Sequence, residues 1–227
     1  MILAKAGALG RAGVMSVLLI LGCGGHGRVV ADTALAAGYA KVAFLDDAPP
    51  SQNGAELPGP VLGHIAAMDG LVGEWGAAVS AIGNNAVRLS LFRRLHSLGF
   101  RTPAIVHPSA MVSRQAKLGE GVFVAPGVVI NVGARIGDAA IVNTGARIDH
   151  DCVIAEGCHI APGATLSGGV KVGERSWLGT GCAVRQGITI GEDAVVGVGA
   201  AVVSDIAAGK TYVGVPARPM NSSSISG

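Results

Sequence analysis

A strict period of six residues governs the second half of the chain. From Val112 to Val202 an aliphatic side chain recurs at every sixth position, without one exception or shift of register. The positions are Val112, Leu118, Val124, Ile130, Ile136, Val142, Ile148, Ile154, Ile160, Leu166, Val172, Leu178, Val184, Ile190, Val196 and Val202. Neither the period of an α-helix nor that of a β-strand produces this pattern. It is typical of a parallel β-helix built from hexapeptides.

In such a β-helix each hexapeptide supplies one short strand and one turn, and three of them complete a triangular coil of about 18 residues. Successive coils stack about 4.8 Å apart through backbone hydrogen bonds. We expect the aliphatic residue of each hexapeptide to point inward, together with the small or aliphatic residue four positions later. The Gly or Asn that often follows the aliphatic residue is expected to take the positive φ of the turn.

The cysteines fit this repeat. Cys152, Cys158 and Cys182 all occupy the small inward position, where other coils have alanine. The fourth, Cys23, lies in the first half of the chain. No pair has CxxC spacing and no set has the spacing of a zinc site, so we expect buried free thiols and no metal.

The first half alternates strand and helix patterns, which predicts a small parallel α/β domain. The expected elements are strands at residues 16–21, 41–45 and 77–82, a helix at 27–37, and a second helix that opens at Gly83-Asn84-Asn85 and ends at Leu98. The expected divisions are a leader or extension (1–15), a Rossmann-like domain (16–106), the β-helix (107–209) and a C-terminal cap and tail (210–227).

Charge and hydropathy argue against several classes of protein. The formal net charge is +2 and no cluster of Lys and Arg occurs, so a nucleic-acid partner is not expected. The longest nearly apolar run, residues 14–21, is far shorter than the ~20 residues of a spanning helix. With Lys5 and Arg11 before it and Cys23 after it, this run imitates a lipoprotein signal, but a buried first strand is the better interpretation. Met15 is a candidate start of the natural chain.

The segment "LGCGGHG" joins the first predicted strand to the first predicted helix. Gly22, Gly24 and Gly27 match the pattern GxGxxG, and Asp46 ends the next strand. Such a loop lets backbone N–H groups approach a diphosphate at a helix N-terminus. A tight turn without a ligand is the competing interpretation. NAD is not expected, because the domain is too short for six strands.

The segment "RIDHDC" interrupts the bland composition of the repeat. A histidine beside a carboxylate, as in His150-Asp151, is a candidate general base, because the negative charge favours the imidazolium that forms during proton transfer. Asp149 competes for the carboxylate role, although its place in the repeat, shared with Asn131, favours a turn. Gly168 follows His150 by one coil, and its N–H is a candidate for polarising a thioester carbonyl.

Another histidine, His159, follows His150 by half a coil. Within one subunit the two side chains are therefore expected on opposite sides of the prism. If both serve one site, neighbouring subunits must supply them, which predicts an oligomer with sites between chains. His64, His96 and His107 receive no catalytic role.

These residues resemble one family. The chain is similar, over about residues 16–220, to bacterial hexapeptide acyltransferases with an N-terminal Rossmann-like domain, typified by nucleotide-linked 4-amino-sugar N-acetyltransferases and sialic acid O-acetyltransferases. The resemblance rests on "GCGGHG", "FLDD", "AIGNN", "VHPSA", "NTGARIDHDCVIAEGCHIAPGATLSGGVKVG" and "VGVPAR". It implies a left-handed β-helix and a cytoplasmic homotrimer, without metal, that binds acetyl-CoA along the cleft between subunits.

The resemblance also implies roles for single residues. His150 resembles the catalytic base, Asp151 the acid that raises its basicity (many relatives have Glu), and Gly168 the oxyanion donor. The residues that match acetyl-CoA contacts are His159, Thr180 and Val198. The residues that match nucleotide-sugar contacts are Gly24, Gly25, His26, Asp46, Asp47, Gly83 and Asn84.

The predicted reaction is acetyl transfer from acetyl-CoA to the 4-amino group of a nucleotide-linked amino sugar by direct attack, with UDP, GDP and dTDP sugars all compatible. The alternatives are O-acetylation of a sugar of the sialic acid type, a trimeric metal enzyme of the γ-carbonic anhydrase type, and a scaffold without activity. The metal enzyme would need three converging histidines, and the β-helix offers His150, His159 and, at its mouth, His107.

Overall fold

The computed structural model describes residues 17–48 and 56–220. The expected leader (1–15), the central part of the Pro- and Gly-rich loop (49–55) and the end of the expected tail (221–227) lie outside the described residues.

The N-terminal domain is a small parallel sheet covered by helices. Its elements are β1 (Val17–Leu21), α1 (Gly25–Ala36), β2 (Lys41–Leu45), a 3-10 helix (Ile65–Gly70), α2 (Val72–Trp75), β3 (Ala78–Ser80) and α3 (Asn85–Ser97). The sheet has the order β2-β1-β3. The predicted strands and long helices are confirmed, with shifted ends, whereas the 3-10 helix and α2 were not predicted.

The position of β1 at the centre of this sheet matters for ligand binding. The chain leaves β1 to form β2 on one side and then returns to form β3 on the other. The loops that follow β1 and β3 therefore leave a crevice at their carboxyl ends, where α/β sheets bind ligands. The Gly22–Gly27 loop and the turn at Gly83-Asn84 lie at this edge.

The second domain is a left-handed parallel β-helix of short strands. They are β4 (Ile105–Val106), β5 (Met111–Val112), β6 (Lys117–Leu118), β7 (Phe123–Val124), β8 (Val129–Ile130), β9 (Arg135–Ile136), β10 (Ile141–Val142), β11 (Arg147–Ile148), β12 (Val153–Ile154), β13 (His159–Ile160), β14 (Thr165–Leu166), β15 (Lys171–Val172), β16 (Trp177–Leu178), β17 (Ala183–Val184), β18 (Thr189–Ile190), β19 (Val195–Val196), β20 (Ala201–Val202), β21 (Thr211–Val213) and β22 (Arg218–Pro219).

These strands form the three faces of a prism. The first face has the order β22-β21-β19-β16-β13-β10-β7-β4, the second β20-β17-β14-β11-β8-β5 and the third β18-β15-β12-β9-β6. Strands that are 18 residues apart pair in parallel, as Ile148 does with Ile130 below and Leu166 above. The predicted coil of three hexapeptides is confirmed.

The inward positions are also confirmed. The aliphatic series is buried from Val124 onward, and its first two members, Val112 and Leu118, are half-buried in the first coil. Cys152, Cys158 and Cys182 are free and buried at the small position. Burial raises the pKa of the Cys182 thiol to about 12. These thiols are core side chains rather than reactive groups.

The expected place of the positive φ is wrong by two residues. From Gly121 to Gly199 every sixth residue has a positive φ, and it is the third residue after the aliphatic one. The glycines directly after the aliphatic residue are instead needed where successive coils are in close contact. A Cβ on Gly137 would lie 2.7 Å from backbone atoms of Ala155 and Glu156, so glycine there lets successive coils approach each other.

The two domains join where α3 packs on one corner of the prism. This docking corner is the turn between the third and first faces, with Ala139, Gly157 and Arg175 at its left-handed positions. Arg88 of α3 is only 1% exposed, and no carboxylate of the described residues pairs with it. Its guanidinium donates to backbone oxygens of Ile82, Gly83, Ala139, Gly157 and Cys158, and to Asn85 Oδ1.

Asn85, the first residue of α3, adds further bonds to the same corner. Its Nδ2 donates to the carbonyl oxygens of Arg175 (2.8 Å) and Ser176 (3.2 Å). Arg88 and Asn85 together satisfy carbonyls of three successive coils, so α3 and the turn before it are fixed on the β-helix.

Candidate functional site

His150 lies on the corner between the second and third faces, in the turn from β11 to β12. Its Nδ1 is 2.9 Å from Asp151 Oδ2, and its side chain is 57% exposed. Because the carboxylate can only accept, Nδ1 carries the proton of this bond and Nε2 keeps a free lone pair. Asp151 has a φ of 58°, a conformation that L-residues seldom adopt. We call this turn, with Gly133, Asp151 and Gly169 at its left-handed positions, the histidine corner.

Gly168, which lies one coil above His150, packs against the imidazole of His150. A Cβ on Gly168 would lie 2.5 Å from His150 Cε1 and closer still to Nε2. The coils are tied here by the Gly169 N–H, which donates to His150 O at 2.9 Å. The N–H of Gly168 itself donates to no backbone acceptor of residues 17–48 and 56–220. Only glycine thus fits beside the free ring nitrogen, and its N–H is available to a ligand.

Asp149 acts within the turn. Its Oδ1 accepts from Asn131 Nδ2 and from the His150 N–H, both at 2.8 Å. These bonds, the Asn131 amide first, lower the pKa of Asp149. The pKa of His150 is raised, mainly by its hydrogen bond to Asp151 and then by the charge of Asp149.

His159 lies on the first face, which is opposite the histidine corner. It is half-buried in β13, 3.1 Å from Asn143 Nδ2 through Nε2, with its ring edge-on to Trp177 at 6.4 Å between centroids. Burial, followed by the charge of Arg88, lowers the pKa of His159 to about 4. The structure therefore brings His159 and His150 no closer than opposite sides of one prism, as the half-coil spacing predicts.

His26, in the first turn of α1, faces the same side of the β-helix. Its ring meets that of Phe123 edge-on at 5.2 Å, and Phe123 lies two coils below His159. Its buried Nε2 has no hydrogen-bond partner among the described residues. Burial and Arg88 lower the pKa of His26 to about 4 as well. The domain junction therefore holds two uncharged imidazoles beside one buried cation.

The glycines of the loop after β1 divide into two kinds. Gly22 has a φ of 103°, and a Cβ on Gly27 would overlap the Gly22 carbonyl, so these two make the tight turn possible. A Cβ on Gly24 or Gly25 would meet nothing within 4 Å. The second pair therefore exposes backbone at the start of α1, where N–H groups have no partner within the helix and favour anions.

Asp46 and Asp47 differ in what their carboxylates do. Both oxygens of Asp46 accept backbone bonds, from Cys23 N–H (2.7 Å) and Ala48 N–H (2.9 Å). Burial opposes its ionisation, but these bonds outweigh burial and lower the pKa of Asp46. Asp47 is exposed, and its Oδ1 accepts from Ile65 N–H. Asp46 thus closes the glycine loop, and Asp47 is the freer carboxylate.

A cavity of about 340 Å³ adjoins these two residues. His64, for which no role was predicted, lines this cavity, and its Nδ1 lies 3.7 Å from Asp47 Oδ1. No sequence motif indicates this proximity, which arises because the Asp46 N–H donates to the Gly63 carbonyl oxygen at 3.0 Å.

The turn before α3 contains the last predicted substrate contacts. Asn84 caps the helix, since its side chain accepts from the Val87 N–H at 3.0 Å. A Cβ on Gly83 would meet nothing within 4 Å, and its carbonyl is held by Arg88. Thr180 and Val198, predicted to line a CoA channel, are exposed on the corner between the first and second faces, one coil apart.

The described residues contain neither a cluster that could hold a metal ion nor a helix that could cross a membrane. Among residues 17–48 and 56–220, no group of three or more His, Cys, Asp and Glu side chains could hold a metal ion. His107, a possible third ligand of a metal enzyme, instead accepts through Nδ1 from the Ser109 N–H at 3.0 Å. No helix in the described parts of the chain is long and apolar enough to cross a membrane.

Comparison with known families gives two matches along the chain. The PglD N-terminal domain family matches residues 17–95, and the GMPPB C-terminal domain family matches residues 100–198.

Comparison with solved structures gives matches over nearly the full chain. The acetyltransferase domain of PglB from Neisseria gonorrhoeae, in complex with acetyl coenzyme A, is 40% identical with a TM-score of 0.85, over 90% of this chain and 99% of that one. A histidine-to-asparagine variant of perosamine N-acetyltransferase from Caulobacter crescentus, in complex with CoA and GDP-perosamine, is 41% identical with a TM-score of 0.87, over 92% and 98%. WeeI from Acinetobacter baumannii is 27% identical with a TM-score of 0.78, over 90% and 99%.

Proposed function

Because the chain is an acyltransferase that belongs to the hexapeptide-repeat sugar acetyltransferases with a Rossmann-like N-terminal domain, we propose that it acetylates the 4-amino group of a nucleotide-linked amino sugar. The observation that carries the proposal is at the histidine corner: His150 Nδ1 bonds Asp151 while the free Nε2 faces Gly168. The similar protein from Caulobacter was solved with CoA and GDP-perosamine, which are a product and an acceptor of such a reaction.

The two substrates would bind to different domains. The open backbone at Gly24, Gly25 and Gly83, whose N–H groups donate to no acceptor among the described residues, suits the diphosphate of the nucleotide sugar. The exposed carboxylate of Asp47 suits its base. His26 and Asn84 lie at the same edge. Acetyl-CoA would lie along the corner that bears Thr180 and Val198, with its acetyl group near His159.

The proposed reaction uses these positions. The sugar amine attacks the thioester carbonyl, a C–N bond forms, and His150 Nε2 accepts a proton from the amine. The Gly168 N–H donates to the oxyanion, and the C–S bond then breaks. The proton passes from His150 to the CoA thiolate, and no covalent enzyme intermediate forms. Asp151 stabilises the imidazolium while it exists.

A homotrimer with shared sites is part of the proposal. His150 and His159 occupy a corner and the opposite face, so they can reach one acetyl-CoA only if they belong to different subunits. We also propose that the domains divide near residues 16, 106 and 209. We propose a cytoplasmic location, because acetyl-CoA is an intracellular co-substrate.

The first test is His150→Ala, with CoA release followed on UDP-, GDP- and dTDP-linked 4-amino sugars and on free sialic acid. The variant should lose about 100-fold or more in kcat with the accepted sugar. The control is His96→Ala, which removes an exposed histidine of α3 and should keep full activity. A near-normal kcat of His150→Ala would refute the base, and activity on sialic acid alone would favour O-acetylation.

The second test concerns shared sites. His150→Ala and His159→Ala are each expected to be impaired, and co-expression of the two should restore part of the activity, because hybrid interfaces contain one intact pair. Sedimentation should show a trimer throughout. No recovery in a mixed trimer would show that one subunit supplies both histidines.

A further inference from the structure

One contact at the histidine corner has no part in the reaction as proposed above. Gly133 lies one coil below Asp151, and the Asp151 N–H donates to the carbonyl oxygen of Val132 at 3.0 Å. A Cβ on Gly133 would overlap Asp151 Oδ1 and would lie 3.4 Å from its Cγ. The carboxylate of Asp151 therefore packs directly on the Cα of Gly133, where no side chain intervenes.

The other oxygen of the same carboxylate holds His150. Asp151 Oδ2 is 2.9 Å from His150 Nδ1, and the backbone bond to Val132 prevents the residue from moving away as a whole. A side chain at 133 could be accommodated only by rotation of the carboxylate, which would carry Oδ2 away from the imidazole. The space above His150 is limited in the same way by Gly168.

We propose that Gly133 is a positioning residue, whose missing side chain keeps the Asp151 carboxylate on His150. The inference rests on the proposed function only for its effect on activity, since the contact itself exists in the free protein. Asp149 and Asp151 are the charged side chains that act on the His150 ring, and the bonds of Asp149 to Asn131 and to the backbone do not involve Gly133.

A matched control is available at the same corner. Gly187 has a φ of 71°, against 74° for Gly133, and a Cβ on it would meet nothing within 4 Å. Alanine at either position brings the same left-handed strain, but only alanine at 133 meets the carboxylate. Gly133→Ala and Gly187→Ala should therefore lower the urea midpoint by similar amounts.

The experiment compares Gly133→Ala, Gly187→Ala, Asp151→Ala and the double variant Gly133→Ala/Asp151→Ala. The first readout is the NMR titration of the His150 ring in the free trimer. The second is the pH profile of kcat/KM with acetyl-CoA and GDP-perosamine, or with whichever nucleotide sugar the wild type accepts.

Gly133→Ala should move the His150 midpoint to lower pH nearly as far as Asp151→Ala, and should lower kcat/KM by a similar factor of about 10. Gly187→Ala should change neither. In the double variant Gly133→Ala should add nothing, because no carboxylate remains to be displaced.

An unchanged His150 titration in Gly133→Ala, or full additivity in the double variant, would overturn the inference. A shifted titration with unchanged kcat/KM, in a protein where His150→Ala is also active, would instead refute the proposed catalytic role and leave the positioning contact standing. The two failures are thus distinguishable.

Discussion

The docking corner and the histidine corner have the same backbone conformation, but α3 packs on the first and the second is exposed to solvent. In each corner a left-handed residue recurs every 18 residues, and some of these residues are not glycine: Ala139 and Arg175 in the first corner and Asp151 in the second. At the docking corner the backbone carbonyls are bonded by Arg88 and Asn85. At the histidine corner the side chains reach solvent and bond one another.

The difference shows in the histidines near each region. His159 and His26, which are half-buried near Arg88, have pKa values lowered to about 4. His150, which is exposed between two carboxylates, has a raised pKa. The repeat therefore supplies turns of one conformation, and what surrounds a turn decides whether burial lowers the pKa of the nearby imidazole or a carboxylate raises it.

The largest expected effect is at the docking corner. Arg88→Met would leave carbonyl groups of both domains buried without donors, and should lower the free energy of unfolding by about 3 kcal/mol or more. Arg93→Met is the control, since Arg93 forms an exposed ion pair with Glu156 whose loss should cost less than about 1 kcal/mol. Urea unfolding measures both, and equal losses would show that Arg88 is no more important than a surface arginine.

The second effect is the response of the junction to acid. Burial lowers the pKa of His26 and of His159 from about 6.5 in the unfolded chain to about 4, so the unfolded chain binds more protons between these values. Stability should be fully present above pH 6.5 and should fall as the pH drops toward 4, by roughly 1–2 kcal/mol per histidine at pH 5. Urea unfolding at pH 7 and pH 5 measures the loss.

His159→Gln provides the control for the acid response. The pH dependence of its stability should be about half that of the wild type, because one of the two half-buried imidazoles is gone. A dependence equal to that of the wild type would assign the acid sensitivity to other groups.

The two corners also differ in how far the sequence predicts them. The six-residue period predicts the coil, its 18-residue stacking and the buried cysteines, because the inward positions repeat without interruption. It predicts that Gly168 lies above His150 for the same reason. The place of the positive φ was wrong, because glycine is needed both for left-handed turns and for close coils, and composition alone does not distinguish these needs.

The docking corner could not be predicted. Arg88 belongs to a helix with many charged residues, and the sequence gives no sign that this arginine is buried while Arg93 and Arg94 are exposed. The lowered pKa of His159 depends on its own burial and then on the charge of Arg88, neither of which the sequence indicates. The role of Asp46 in closing the glycine loop likewise depends on the distance between two strand ends.

The third effect separates charge from shape at the histidine corner. Asp151→Asn keeps the size of the side chain but removes its charge, so the pKa of His150 should fall toward its ordinary value. The inflection in the pH profile of kcat/KM should move to lower pH, because His150 is then neutral at lower pH. The value of kcat/KM on the plateau at higher pH should drop by about 10-fold. Asp149→Asn is the control and should shift the inflection less, because Asp151 makes the larger contribution.

The smallest effect compares the two corners directly through glycine substitutions. Asp151→Gly relieves left-handed strain at an exposed site and should raise the free energy of unfolding by about 0.5–1 kcal/mol while lowering activity as Asp151→Asn does. Ala139→Gly relieves the same strain but also removes a methyl group buried beside Leu89 and Phe92, a loss of about 0.8 kcal/mol, so its net change should be near zero with activity kept. Urea unfolding of both variants measures the difference. An equal gain in the free energy of unfolding at both positions would mean that the packing of α3 contributes nothing at Ala139. No gain at Asp151 would mean that its left-handed conformation carries no strain, so that this turn is as relaxed as the glycine turns of the repeat.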